Sequence, residues 1–203
     1  MEDELIHFEI RRKLFHLCSL IFPLTYVFVT KMYMATALMI ITGITLYLDI
    51  SRHYNSKIKD LITKIFGKLM REEEASGQFM PSGASYMALG FLLSCLLFSK
   101  GLVLVSWLIL IVGDCFAAIM GMRFGSPLFN GKSFIGSGSF FASSVFISIM
   151  MYFIFPYDTG FFIILFSSLA ATLVEFFSNQ IKVNDNLSIP LVYCFTTFVL
   201  SLL

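Results

Sequence analysis

One glycine-rich stretch carries an acid and two bases: Gly113-Asp114, Arg123-Phe124-Gly125, Gly131-Lys132-Ser133 and Gly136-Ser137-Gly138. These residue types suit a polyphosphate. A hard cation such as Mg²⁺ takes one or two carboxylates plus phosphate oxygens, which is a role for Asp114. Arg123 offers a planar fork of donors, and Lys132 a point charge. Gly125, Gly131, Gly136 and Gly138 free the backbone of 131–137 to turn its N–H groups toward phosphate, with Ser133 and Ser137 among them. Asp114, Ala117, Ala118 and Gly121 share a helix face, and small residues there permit close approach. Gly125 to Gly131-Lys132-Ser133 is not a Walker A loop, because five residues rather than four separate the glycines and no strand precedes them. A plainer reading pairs Asp114 with Arg123 as a packing acid and makes Lys132 an ordinary cytoplasmic-side lysine.

Three further clusters could join this segment. Glu175 is an acid inside an apolar run, followed by Asp185-Asn186-Leu187-Ser188-Ile189-Pro190. Asn186 could instead be a helix cap. Near the start, Glu9, Arg12, Lys13 and His16 are spaced as helical neighbours. A basic membrane anchor accounts equally for Arg11 to Lys13, and a packed histidine for His16. Asp49 lies on one helical face with Arg52 and His53, where a local salt bridge is the simpler reading.

The elements that position these groups belong to a membrane. Hydrophobic residues make up 58% of the 203-residue chain and charged residues 13%, about half the charge of a soluble domain. That excludes a soluble enzyme, a disordered chain and a disulfide scaffold. The net charge of +1 points to no nucleic-acid partner. Cys18, Cys95, Cys115 and Cys194 each sit in an apolar run, with no metal or redox spacing, and read as small buried hydrophobes. Continuous apolar runs predict helical spans at 14–30, 32–50, 80–99, 101–119, 136–155, 160–177 and 187–203. The first is read as a span because no small-residue cleavage site follows its basic cluster. An N-in, C-out topology puts 12 of the 14 Lys and Arg on the cytoplasmic side and leaves Lys31 and Lys100 outside. It also brings Asp49, Asp114 and Glu175 to the cytoplasmic ends of spans two, four and six. Residues 51–79 are expected to hold an amphipathic helix on the inner leaflet, with Ile58, Leu61, Ile62, Ile65 and Leu69 interleaved with lysines. The fold expected is all-α and polytopic, one integral domain over 1–203, with the chemistry in a catalytic loop at 114–138. An ion transporter would more naturally place its acids near the midplane. A layer at the face suits an enzyme meeting a soluble anion on one side and a lipid on the other.

The four clusters together resemble the family of dolichol kinases, phytol kinases and CTP-dependent diacylglycerol kinases. The resemblance runs through Glu9, Arg12-Lys13 and His16; Asp49 and Arg52; Arg71-Glu72; Asp114, Ala117-Ala118, Gly121 and Phe124-Gly125; Lys132-Ser133 and Gly136-Ser137; then Glu175 and Asp185 to Pro190. The family is distantly similar to CDP-diacylglycerol synthases.

The resemblance implies phosphoryl transfer from CTP to the hydroxyl of a membrane lipid alcohol, a polyprenol, a phytol-like alcohol or a diacylglycerol. CTP as donor rests on the resemblance alone. In that setting Asp114 binds Mg²⁺ with help from Asp185. Arg123, Lys132, Asn186 and the N–H groups of 131–137 hold the triphosphate. Glu175 or Asp49 accepts the lipid hydroxyl proton. The chain is close to a minimal catalytic unit, which implies a multi-pass protein of a bacterial inner membrane, or of the endoplasmic reticulum or an organelle in a eukaryote. The alternatives are a cytidylyltransferase, which attacks the α-phosphate and makes a CDP-lipid, and a membrane transporter.

Overall fold

A computed structural model describes residues 2–67, 80–128, 131–155 and 159–203. Its described residues form helices and connecting turns, with no strand among them. In chain order they are α1 (Glu2–Cys18), α2 (Ile21–Phe28), α3 (Lys31–Tyr54), α4 (Ser56–Phe66), α5 (Gly83–Leu97), α6 (Lys100–Leu108), α7 (Asp114–Phe124), α8 (Phe134–Ile154), α9 (Phe161–Ile181) and α10 (Asp185–Leu200). A π-helical turn, Ile109–Gly113, fuses α6 and α7 into one 25-residue rod.

This rod is the axis of the fold. It is buried over most of its length, against α2, α5 and α10 along α6 and against α1 and α8 along α7. Trp107 stacks on Tyr26 and Phe91 and donates its indole N–H to Ser94 Oγ at 2.8 Å. Lipid gives helices no hydrophobic reason to associate, so small residues and hydroxyls bring them together. Gly136 of α8 lies where a Cβ would meet Ala117 O at 2.9 Å, and a Cβ on Gly90 of α5 would meet Asn186 O at 2.6 Å. Hydroxyl pairs tie α8, α9 and α10 together: Ser144 to Ser168 at 3.0 Å, Ser148 to Tyr193 at 2.7 Å and Thr197 to Ser167 at 2.9 Å.

The outer surface is that of a membrane protein. Phe28, Phe134, Phe153 and Phe162 are each more than 70% exposed, far more apolar surface than water tolerates. Among the described residues, α3, the Lys100–Phe124 rod, α8 and α9 are long and apolar enough to cross a bilayer; α5 and α10 are apolar but shorter.

Several boundaries differ from expectation. The run 14–30 is two helices, because Ser19 N and Oγ both bond back to His16 O and Pro23 lacks an N–H. Span three starts only at Gly83. Span four continues to Phe124, and span six continues to Ile181. Asp49, Asp114 and Glu175 therefore sit one to three turns inside helices rather than at their ends. Of 51–79, residues 51–54 finish α3, α4 occupies Ser56–Phe66, and 68–79 lie outside the described residues. α4 keeps Leu61 and Ile65 exposed and packs chiefly on the end of α3. Most of the described part of 114–138 is helical, with 125–128 and 131–133 in the connection between α7 and α8. Cys95, Cys115 and Cys194 are buried thiols, whereas Cys18 is exposed.

Candidate active site

The rod brings Asp114 to the N-terminal segment. Asp114 opens α7 directly after the π turn, about 21 Å along the rod from Lys100 at 1.5 Å per residue. Its Oδ2 accepts from Lys13 Nζ of α1, a residue 101 positions earlier. His16, one turn beyond Lys13, points the same way: its Nε2 lies 3.8 Å from Asp114 Oδ2 and 3.4 Å from Leu110 O in the π turn. Lys13, His16 and Asp114 are all buried. The expected alternative partner, Arg123, is exposed two and a half turns further on and lies over the Phe124 ring at 5.4 Å.

A second ion cluster forms where the α7–α8 connection meets α9 and α10. Lys132 Nζ reaches Glu175 Oε1 at 2.5 Å and Asp185 Oδ2 at 3.6 Å. Ser137 Oγ, in the second turn of α8, donates to Glu175 Oε2 at 2.9 Å. Glu175 is only 2% exposed, so both its oxygens face partners rather than solvent or lipid. Burial opposes the charge on Lys132, but the carboxylates of Asp185, Glu175 and Asp114 outweigh it and hold its pKa above the ordinary lysine value.

Lys13, His16 and Asp114 join α1 to α7, and Lys132, Ser137, Glu175 and Asp185 join the α7–α8 connection to α8, α9 and α10. Asp114 is the smallest of the three carboxylate influences that raise the pKa of Lys132. Asn186 follows Asp185: its Nδ2 donates to Gly83 O at 3.2 Å, while its own N–H is capped by Asn184 Oδ1 at 3.0 Å. Asp49 lies beyond that link. Its Oδ2 accepts from Ser82 N at 2.8 Å, Ser82 Oγ at 3.0 Å and Ser85 Oγ at 2.5 Å. Arg52 meets its Oδ1 at 3.3 Å and donates to Met80 O at 2.7 Å. This saturated carboxylate fastens the start of α5 to α3. Arg12 stays outside both clusters, half-exposed and paired with Glu9 at 2.9 Å.

The expected cradle of loop N–H groups differs in detail. Gly125 N bonds Gly121 O, and Gly131 N, at φ +74°, bonds Leu128 O. Gly136 N bonds Ser133 Oγ, the N-cap of α8, and Ser137 N bonds Ser133 O. Gly136 and Ser137 are helical because Ser133 caps them, and Gly136 serves close packing on α7. The first turn of α8, which begins beside Lys132, is where helix geometry offers backbone N–H groups to an anion.

Among the described residues no three His, Cys, Asp or Glu side chains converge to form a metal cage. Asp114 and Asp185 are each hard oxygen donors of the type of which Mg²⁺ takes one or two beside phosphate oxygens and waters. The π turn before Asp114 and the Lys13 partner had no signal in the sequence, beyond the basic run at the N-terminus.

The chain is 51% identical over 199 residues to Uncharacterized protein RP860 of Rickettsia prowazekii, covering 98% of each. It is 32% identical over 158 residues to Uncharacterized protein MJ1137 of Methanocaldococcus jannaschii, covering 77% of this chain and 74% of that one. A shorter stretch of 132 residues is 34% identical to Probable phytol kinase 1, chloroplastic, of Oryza sativa subsp. japonica. It takes in 58% of this chain and 42% of the rice protein. No family model matches, and no solved structure does. The similarity to phytol kinases is thus partial, and it is of the lipid-kinase type.

Proposed function

We propose that this chain, which belongs to the family of RP860 and MJ1137, is a membrane kinase that moves the γ-phosphoryl group of CTP onto the hydroxyl of a membrane lipid alcohol. One observation carries the reading: Lys132, Glu175 and Asp185, each from a different part of the chain, meet as one ion cluster around a Glu175 only 2% exposed, in a protein otherwise surrounded by apolar side chains. Such groups are costly in a membrane protein and mark function by default. The partial similarity to phytol kinases supports phosphoryl transfer as the chemistry.

Phosphoryl transfer needs positioning and charge neutralisation more than covalent help. Asp114 and Asp185 would hold Mg²⁺ on the triphosphate, where the ion would neutralise charge on the transferring oxygens. Lys132 and the first-turn N–H groups of α8 grip the phosphate. As Lys132 turns to phosphate, Glu175 loses its cation and becomes available to the lipid hydroxyl. Ser137 keeps that carboxylate oriented. The alcohol oxygen bonds to the γ-phosphorus as the bridge to the β-phosphate breaks; the proton goes to Glu175, and CDP leaves. Glu175 is favoured over Asp49 for this role because Asp49 already accepts three hydrogen bonds and an arginine.

Purified protein, Mg²⁺, lipid alcohols and CTP labelled at the γ- or α-phosphate test the proposal. γ-Label in the lipid is the expected result. α-Label in the lipid would make the protein a cytidylyltransferase, and intact CTP with polyprenol, phytol and diacylglycerol alike would overturn the kinase reading.

A further inference from the structure

The proposed chemistry leaves one buried ionic group without a task. Lys13 is 8% exposed, and its ammonium sits on Asp114 Oδ2, the carboxylate placed at the metal. Packing does not require it, since a buried ion pair rarely holds helices better than well-packed apolar residues of similar volume. α1 also touches the rod elsewhere: Cys115 Sγ lies 3.7 Å from Lys13 O, and His16 reaches Leu110 O. An arriving cation and the lysine would compete for the same oxygen.

We propose that Lys13 is an exchangeable counter-ion of Asp114, which keeps bare Mg²⁺ off the carboxylate and transfers to phosphate when a metal–nucleotide complex arrives. The inference rests on the kinase reading above and adds to it a gate on metal binding. No covalent bond changes: the Lys13–Asp114 contact is given up, a metal–Asp114 contact takes its place with loss of metal-bound water, and Lys13 gains a phosphate contact. Before binding, Lys13 neutralises Asp114. Mg²⁺ alone must evict the ammonium into a buried site with no new partner, because Lys132 already stands on the other two acids. Mg²⁺ with a triphosphate brings the anion that the displaced ammonium needs. Metal and nucleotide binding are therefore coupled through Lys13, and by linkage the coupling is reciprocal.

The test is a Mg²⁺ titration of the purified full chain without nucleotide, read by thermal unfolding. Lys13→Met keeps the length and removes the competitor, so half-maximal stabilisation should occur at least tenfold lower Mg²⁺ than in the wild type. Lys13→Arg substitutes a stronger, bidentate carboxylate partner and should need more Mg²⁺ than the wild type. Asp114→Asn combined with Lys13→Met should abolish the response. An unchanged or weaker Mg²⁺ response in Lys13→Met overturns the exchange and makes Lys13 a fixed positioning residue. Should that variant not fold, Lys13→Arg decides, and a midpoint equal to the wild type overturns the idea. Labelled phosphate transfer by the wild type separates the two claims. Active wild type with Mg²⁺ midpoints that ignore residue 13 sinks only the exchange. No transfer to any lipid sinks the kinase reading, while the titration still reports on Asp114.

Discussion

Lys132→Met is the sharpest probe of the converged charges. Lys132 Nζ stands 2.5 Å from Glu175 and 3.6 Å from Asp185. At an effective dielectric of about 20, charges 3.6 Å apart attract by about 4.6 kcal/mol. Desolvation of both ions offsets much of this, so the pair itself adds little net stability. Removing only the cation is different: Glu175, 2% exposed, becomes an uncompensated buried charge, at a cost of about 3–5 kcal/mol. A chain of this size loses about 2–4 °C of Tm per kcal/mol, so Tm should fall by about 6–20 °C. Adding Glu175→Gln removes the stranded charge and should restore at least half of that loss. Lipid phosphorylation should fall on the order of 10²-fold in Lys132→Met, as for the loss of one preorganised charge donor, and should not recover in the double variant. The pH dependence has a definite sign. The folded protein raises the pKa of Lys132 above its ordinary 10.5. The stability Lys132 contributes is therefore fully present below about 10.5 and is lost as pH rises through the folded-state value. The Tm difference between wild type and Lys132→Met should hold steady from pH 7 to about 10 and shrink above. If Lys132→Met unfolds within 1–2 °C of the wild type, and Glu175→Gln changes nothing in its background, the charges are not coupled as argued.

Asp49 and the glycines give independent checks. Asp49→Ala removes an acceptor of three hydrogen bonds and should destabilise by about 2–4 kcal/mol. Asp49→Asn, which keeps an acceptor, should lose less, and the lipid-kinase turnover of its folded fraction should stay within threefold of wild type; a hundredfold loss in well-folded Asp49→Asn would make Asp49 the proton acceptor instead. Gly136→Ala places a Cβ 2.9 Å from Ala117 O and should cost about 1–3 kcal/mol in thermal unfolding. Gly138→Ala, with open space at its Cβ, should be neutral or stabilising by up to about 1 kcal/mol; equal effects at both positions would refute close packing of α7 on α8.

Much of the architecture was legible because lipid leaves few choices. A chain this apolar must satisfy its backbone internally, so continuous runs had to become helices, and the scarce charges had to gather. Helix ends were less legible. The break at Ser19-Leu20 depends on a serine folding back on His16 O, and the π turn before Asp114 has no composition of its own. Glu175 is readable as a candidate because it is an acid inside an apolar run, whereas Lys132 and Asp185 stand in polar loops and are picked out by the glycine-rich and Asp-Asn segments that hold them. Arg123 belongs to the same glycine-rich segment, yet it lies on Phe124 at the surface, since a residue two and a half turns past Asp114 leaves the packed part of the rod.

By itself the sequence determined the membrane setting, the helical class and the short roster of ionisable residues that needed partners, because hydropathy and charge are local properties of each residue. Only the tertiary structure decided who pairs with whom. Lys13 meets Asp114 across 101 residues and Lys132 meets Glu175 across 43, and no local pattern specifies such contacts. They follow from how the helices pack, with small residues such as Gly136 letting α8 close on α7 and hydroxyl pairs tying α8, α9 and α10 together.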